Sequence, residues 1–477
     1  MKQLFIFSIC VLATLHLFSQ KGYDIAVNLK PFKNAYVYLG YYYGKVKALS
    51  DSAMLDSNST GHLKGDSTLK GGIYFVVSPN KQILFEMLID SDQHFTVEAD
   101  TSNLPASVKF NGSAENELFQ QYSAFAGKTG KLIGEVSLLY AQAKSKKDSL
   151  LVAFESKKLG DQLQRYRDSI SAVHPDLFLT TLFKAMNEPK IPSAKQQPGG
   201  KYDSNYVYHF FKSHYWDGIS MNDDRLVRTP FFEPRLLKYY DNLIAPNADS
   251  IIKETDAMLL ESRTAKDMYQ FLMVTFVQKY INPTYMGQDA VFVHLFEKYI
   301  NTGKAEFFTP QYKEFATKRA YSLMANLIGQ PAPALDMVDT ANKPLPLYSI
   351  AGQFTVICFW DPTCSHCKEI VPKVDSIYEA KWKKLGVQIY GVKVDGTQAE
   401  WVKFIGEHHL KGWKHVYQPS YKQEQETKAN KPSYKQLYDV YQTPLLYLLD
   451  KQKRIIAKKL SYLQIDEVIN AKIQTTK

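Results

Sequence analysis

The segment CFWDPTCSHC, Cys358 to Cys367, holds three of the four cysteines of this 477-residue chain. Cys364 and Cys367 have the spacing C-x-x-C, which suits a metal clip, a structural disulfide or a redox couple. A zinc site needs two further ligands. There is no second C-x-x-C, and EHHLKGWKH (407–415) offers only loosely placed histidines. A disulfide-stapled secreted protein spreads its cysteines along the chain. Here three lie within ten residues, so stability must come from packed cores, and the pair is there for chemistry.

The apolar run FTVICFW (354–360) reads as a buried central strand, and CKEIVPKVDSIYEAKW (367–382) as an amphipathic helix. The cysteines therefore fall where strand gives way to helix. A cysteine at a helix N-terminus meets unpaired N–H groups and the positive end of the helix dipole, both of which stabilise thiolate. Cys367 follows one turn later on the same face, so Cys364 attacks and Cys367 resolves. His366 stands between them, and a cationic imidazole there would favour the Cys364 thiolate further and make the disulfide easier to reduce. A second element, VYQTPLLYLLD (440–450), places Thr443-Pro444 just before an apolar strand. Proline at a strand's first position suggests a special turn. A cis peptide there would turn the Thr443 backbone toward the cysteines, ready to pair with an extended substrate segment.

FWDPTCSHCKEIVP (359–372), some 80 residues before TPLLYLLDKQKRII (443–456), resembles the thioredoxin fold. The lead-in IGQPAPALDMVDTANKPLPLYSI (328–350) is similar to the TlpA/ResA and AhpC/TSA-like branch of envelope thiol–disulfide oxidoreductases. The resemblance covers about 329–477. It implies that Cys364 is the attacking and Cys367 the resolving cysteine. Trp360 matches the packing tryptophan, Pro372 the helix-kinking proline and Pro444 the cis-proline. It also implies no cofactor beyond a redox-active Cys364–Cys367 disulfide. There are two departures. Thr363 stands where a tryptophan or similar residue is usual. Cys358 lies six residues before Cys364, where many thioredoxins bury an acid that accepts the resolving thiol's proton.

Around this device the C-terminal third alternates strand and helix, ending in a hairpin at Lys451–Lys453 and a closing helix. A repeated PSYKQ, at 419–423 and 432–436, marks 417–436 as a polar surface loop. Residues 21–112 read as short strands separated by Gly, Asn, Asp and Pro, a sandwich or barrel-like antiparallel β domain. Residues 113–328 read as a mostly helical domain. The whole layout resembles multidomain exported thioredoxin-like proteins of gram-negative envelopes, and RLVRTPF (225–231) and DAVFVHLFEKY (289–299) are similar to their middle domain. Asp223, Asp224, Arg225 and Arg228 read as a solvated turn with local ion pairs. The expected class is thus multidomain, with an antiparallel β domain, an α-helical middle domain and a C-terminal α/β thioredoxin fold from 329 to 477.

Residues 1–20, MKQLFIFSICVLATLHLFSQ, read as a secretory signal peptide whose removal takes Cys10 with it. No later run is long and apolar enough to cross a membrane. The formal charge is +10, but lysines are scattered among acidic residues rather than gathered in a nucleic-acid-binding stripe. These features lead to an expectation of a periplasmic or envelope protein-disulfide reductase or isomerase. Its partners would be thiol or disulfide client proteins and an electron-donor protein at the membrane. Two alternatives stand beside it. A peroxiredoxin-like peroxidase would need a P-x-x-x-[ST]-x-x-C loop, and Pro362 and Thr363 abut Cys364 instead. An envelope binding protein would use the front domains for its work and the redox domain for regulation.

Overall fold

The computed structural model describes residues 22–142 and 145–475. The expected signal segment 1–20 and Cys10 lie outside them. The chain forms two compact units, one made of residues up to 243 with 264–268, the other of 244–263 with 269 onward.

The first unit begins with eight strands: β1 (Tyr23–Lys30), β2 (Tyr36–Tyr43), β3 (Val46–Met54), β4 (Thr60–Gly65), β5 (Gly72–Val77), β6 (Ile83–Ile89), β7 (His94–Asp100) and β8 (Lys109–Asn111). They make two four-stranded sheets, ordered β4-β1-β7-β8 and β3-β2-β5-β6. Pairing is antiparallel except between β1 and β7, which run parallel. Alternate residues Ile25, Val27 and Leu29 of β1 are fully buried with Val37, Leu39, Val76 and Met87 in one core. Every residue of β5, GIYFVV, is buried, so its second face needs a cover. Helices α1 (Ala114–Gln142), α2 (Lys146–Val173) and α3 (Phe178–Met186) supply it, packing Tyr122, Ile170, Phe178, Leu182 and Phe183 on Ile73, Phe75 and Val77. The unit also holds α4 (Ser204–Ser213) and α5 (Phe232–Asn242).

The Asp223–Arg228 segment is not a solvated turn. Arg228 is buried, pairs with Asp267 at 2.6 Å and donates to the Gly71 carbonyl at 2.6 Å. Arg225 bridges Asp223 at 2.7 Å and Asp90 at 2.8 Å. The approach needs glycine: a Cβ on Gly71 would sit 2.7 Å from Arg225 Cγ, and one on Gly72 2.4 Å from Arg228 Cβ.

The second unit contains α6 (Ala248–Glu261), most of α7 (Lys266–Ile281), α8 (Asp289–Leu295) and α9 (Pro310–Met324), followed by an α/β domain. That domain has strands β9 (Val338–Asp339), β10 (Phe354–Trp360), β11 (Val387–Lys393), β12 (Lys414–Tyr417), β13 (Leu445–Leu449) and β14 (Ile455–Lys458). Its helices are α10 (Ser365–Ala380), α11 (Gln398–Glu407), α12 (Ser420–Lys428), α13 (Tyr434–Leu437) and α14 (Tyr462–Thr475). The sheet order is β14-β13-β10-β11-β12-β9. β10 runs parallel to β11 and antiparallel to β13. This is the thioredoxin-like arrangement expected for the C-terminal part, with the fully buried β10 inside the sheet. Val356, Cys358 and Trp360 enter one core with α10, while Ile357 and Phe359 enter the other.

Three local readings change. The 113–328 stretch, expected as one domain, is divided between the two units. The physical reason is that its later helices are locked to the α/β domain by buried polar groups. Lys458 Nζ pairs with Asp289 and donates to Asn326 Oδ1 at 2.6 Å, and Asn326 Nδ2 donates to the Leu437 carbonyl at 2.8 Å. The 417–436 loop is largely helical. Both PSYKQ copies start a helix after their proline, α12 without a buried residue and α13 with a Ser433/Gln436 capping box. The run of Gln, Glu and Lys in α12 favours helix even when nothing covers it. Finally, EHHLKGWKH (407–415), weighed above for its histidines, runs into β12, and His415 is buried. Among the described residues no helix is long and apolar enough to cross a membrane.

Two measurements check this packing. Lys458→Met, which strands Asp289, should destabilise the protein by about 3–5 kcal/mol in denaturant unfolding, and adding Asp289→Leu should restore most of it. His415 gives a pH signature. Its Nε2–H donates to the Leu410 carbonyl at 2.7 Å, and burial pushes its pKa down to about 4. The unfolded chain binds that proton near the ordinary value of about 6.5. His415's contribution is therefore complete above pH 6.5 and is lost as pH falls toward 4, in total about 3 kcal/mol. His415→Phe should flatten that part of the stability–pH curve relative to the parent, read from urea midpoints at pH 7 and 4.5.

Candidate active site

Strand β10 ends at Trp360, and four residues later Cys364 caps α10 in an extended conformation (φ −69°, ψ 124°). Asp361 shapes the connection. Its Oδ1 accepts from the Thr363 amide and hydroxyl, both at 2.8 Å, and its own amide donates to Cys367 Sγ at 3.5 Å. Cys364 is half-buried, and its thiol donates to the Thr443 carbonyl at 3.7 Å. Cys367 is fully buried one turn into α10. Cys358 is buried in the same core. All three are free thiols.

The two thiols of the pair are electrostatically unlike. The Cys367 amide holds the Cys364 thiol below the usual range against a smaller opposing effect of burial, with further help from Thr443, the Cys367 side chain and the His366 amide. Burial pushes Cys367 up to about 11, although the Asp361 amide works the other way. Burial raises Cys358 well above the ordinary thiol range, and its neighbour Cys367 adds to that. Cys364 is thus the thiol of the pair that ionises more readily, and the main cause is the helix end. The backbone amide of His366 is among the groups that lower the Cys364 thiol, while its side chain, expected to act as a cation on that thiol, is exposed to solvent. An exposed cation is screened by water and salt, whereas an amide aimed at the sulfur is not.

The remaining expected residues fall around this pair. Trp360 is fully buried against Phe404, ring centroids 5.1 Å apart, and anchors the end of β10. Pro372 lies inside α10. The Thr443–Pro444 peptide is cis. Pro444 and His366 line a groove of about 230 Å³ with Ile370, Gln442, Lys459 and Tyr462. No group of three or more His, Cys, Asp or Glu side chains suited to a metal occurs among the described residues. Asp361, Lys459 and Tyr462 escaped the sequence reading. Asp361 had a signal, an Asp-Pro-Thr turn leading into a helix. Lys459 and Tyr462 had none, because they reach the groove from beyond the C-terminal hairpin.

Residues 328–458 match the family model described as AhpC/TSA, and residues 152–314 match a domain of unknown function, DUF5106. Thiol-disulfide oxidoreductase ResA of Oceanobacillus iheyensis is 29% identical over 87 residues, 17% of this chain. The match spans 45% of that protein, less than half its length. Among solved structures, a domain of a possible thiol-disulfide isomerase from Cytophaga hutchinsonii is 35% identical. It covers 32% of this chain and 97% of its own, with a TM-score of 0.27. A thioredoxin-like protein from Bacteroides caccae is 18% identical and covers 60% of this chain and 98% of its own, with a TM-score of 0.46.

The split in acidity predicts a selective alkylation pattern. Iodoacetamide should modify Cys364 with a pH midpoint below that of an ordinary thiol. Cys367 and Cys358 should resist until the protein is unfolded. His366→Ala should leave the Cys364 midpoint nearly in place. A large upward move in that variant would show that the imidazole, not the helix end, sets the reactivity.

Proposed function

We propose that this chain, whose residues 328–458 match the AhpC/TSA family model, is an exported thiol–disulfide oxidoreductase that exchanges disulfides with envelope client proteins. The observation that carries the reading is the unequal dithiol at one helix end. Cys364 is acidic and partly accessible, Cys367 is buried behind it, and the Thr443 carbonyl lies 3.7 Å from the Cys364 sulfur.

In client reduction, the Cys364 thiolate attacks one sulfur of the client disulfide. The other client sulfur leaves as thiolate, and a mixed disulfide forms. Cys367 then attacks Cys364 Sγ, the second client sulfur departs, and Cys364–Cys367 becomes a disulfide. Two electrons pass from the dithiol to the client, and the Cys367 proton ends on the departing client thiolate. No carboxylate or imidazole lies among the groups that set the Cys367 acidity. The leaving thiolate is therefore the natural proton acceptor, which answers the difficulty posed by a thiol at position 358. An extended client segment can pair with the Thr443 backbone while its side chain enters the groove beside Pro444. In an oxidising envelope the disulfide persists until a donor thiol protein reduces it, so turnover requires such a partner.

The two cysteines should separate in a turnover assay with a protein disulfide as substrate and a thiol reductant as donor. Cys364→Ser should lower the rate by about a hundredfold or more, because it removes the nucleophile. Cys367→Ala should accumulate mixed disulfides with clients, visible as dithiothreitol-sensitive high-mass bands. Full turnover in Cys367→Ala would sink the dithiol mechanism. Efficient consumption of hydrogen peroxide by that variant would favour the peroxidase alternative.

A further inference from the structure

The strand-to-turn segment that faces Cys364 is held in place from outside the α/β domain. Between α13 and β13, residues 438–444 carry Thr443 to the active site. Asp439 has a left-handed backbone (φ +53°) just past the end of α13, where its amide donates to the Gln436 carbonyl at 3.2 Å and the Val440 amide to the Lys435 carbonyl at 2.8 Å. Its side chain is 1% exposed. One carboxylate oxygen accepts from Arg319 and the other from Lys459. Burial raises the carboxyl, but the hydrogen bonds and positive charges of Arg319 and Lys459 together keep it below the ordinary range.

Arg319 belongs to α9, 120 residues earlier in the chain and outside the α/β domain. It is itself buried, and its remaining N–H groups go to Asn282 Oδ1 at 2.9 Å and the Ile281 carbonyl at 3.4 Å, at the end of α7. The guanidinium also lies 5.8 Å from the centre of the Tyr441 ring. Asn326, just past α9, adds a third tie through the Leu437 carbonyl. Lys459, the other partner of Asp439, has its backbone N–H on the Leu446 carbonyl at 2.9 Å and lines the groove beside Pro444.

We propose that Arg319 is a positioning residue for disulfide exchange. Through Asp439 it fixes the 439–444 segment, so that the Thr443 edge and the Pro444 groove are preformed for the client. The proposal rests on the oxidoreductase reading. It assigns to the helices before the α/β domain a part in client recognition. Arg319 touches neither sulfur. The Cys367 amide, the largest influence that makes Cys364 acidic, does not depend on the 439–444 segment, while Thr443 within that segment adds a smaller one. Losing Arg319 should therefore impair recognition of an extended disulfide substrate and raise the Cys364 thiol only by the part that Thr443 supplies.

The test compares the full chain with Arg319→Met and with the milder Arg319→Lys. Amide hydrogen exchange should rise about tenfold or more in peptides covering 437–446 of Arg319→Met, because a buried carboxylate loses its bidentate-capable partner. Peptides of α10 should be unchanged. KM for a peptide disulfide should rise about fivefold or more, while the Cys364 alkylation midpoint moves up slightly at most and stays below that of an ordinary thiol. Arg319→Lys should fall between, since it restores the charge without the fork, and the same readouts on it decide the matter if Arg319→Met does not fold. Unchanged exchange in 437–446 overturns the positioning role. Raised exchange with unchanged KM overturns its bearing on the reaction. If the parent chain shows no disulfide exchange at all, the functional reading fails, and the hydrogen-exchange comparison still decides whether Arg319 holds the segment.

Discussion

The chemistry depends on where a buried strand ends. β10 is hydrophobic from Phe354 to Trp360 and buried on both faces, so it can sit only inside the sheet. α10 must then begin at the sheet's C-terminal edge, and its first unpaired amides point at the sulfur of the residue that caps it. That capping residue is Cys364. One turn inward, the same helix carries Cys367 into the core, where the loss of water keeps it protonated. A single topological constraint thus produces an acidic, reachable thiol and a protonated, sheltered one. In the proposed exchange, their inequality sets the order of attack.

A second constraint is the set of charges buried within the C-terminal unit. Lys458 with Asp289, and Arg319 with Asp439 and Lys459, are taken out of water. Such pairs contribute little to stability relative to apolar packing, but they are strongly penalised when only one partner is present. They therefore act as specifiers. The α/β domain carries Lys458 and Asp439 in positions that are costly without α8 and α9. This gives a physical reason for the preceding helices to accompany the α/β domain. The first unit uses the same device, with Arg225 and Arg228 set against the glycine pair at the start of β5.

Much of the candidate site was legible in the sequence because its determinants are local. C-x-x-C spacing, an apolar strand, a helix after it and a proline before a later strand are patterns confined to a few residues each, and they located Cys364, Cys367, Trp360 and Pro444. The strands of residues 22–111 were legible for the same reason, since alternation of buried and exposed side chains is written at period two. A short polar run such as α12 has no apolar period to announce it, so its helix was missed.

Tertiary structure decided what depends on groups far apart in the chain. Asp439 and Arg319 are each unremarkable in their own surroundings, and only the fold removes both from water and makes them need each other. The boundary inside residues 113–328 follows from such pairings and leaves no compositional mark. His366 shows the complementary lesson. Its place between the cysteines was plain from the sequence, but whether its imidazole or its amide would act on the sulfur depended on the direction of the side chain. The helix turned that side chain outward, because position 366 lies on the exposed face of α10 while the backbone amides of its first turn converge on Cys364. The residue types and spacing thus determined which chemistry is available. The three-dimensional arrangement of charges and burial determined which groups carry it out and which distant helices hold them ready.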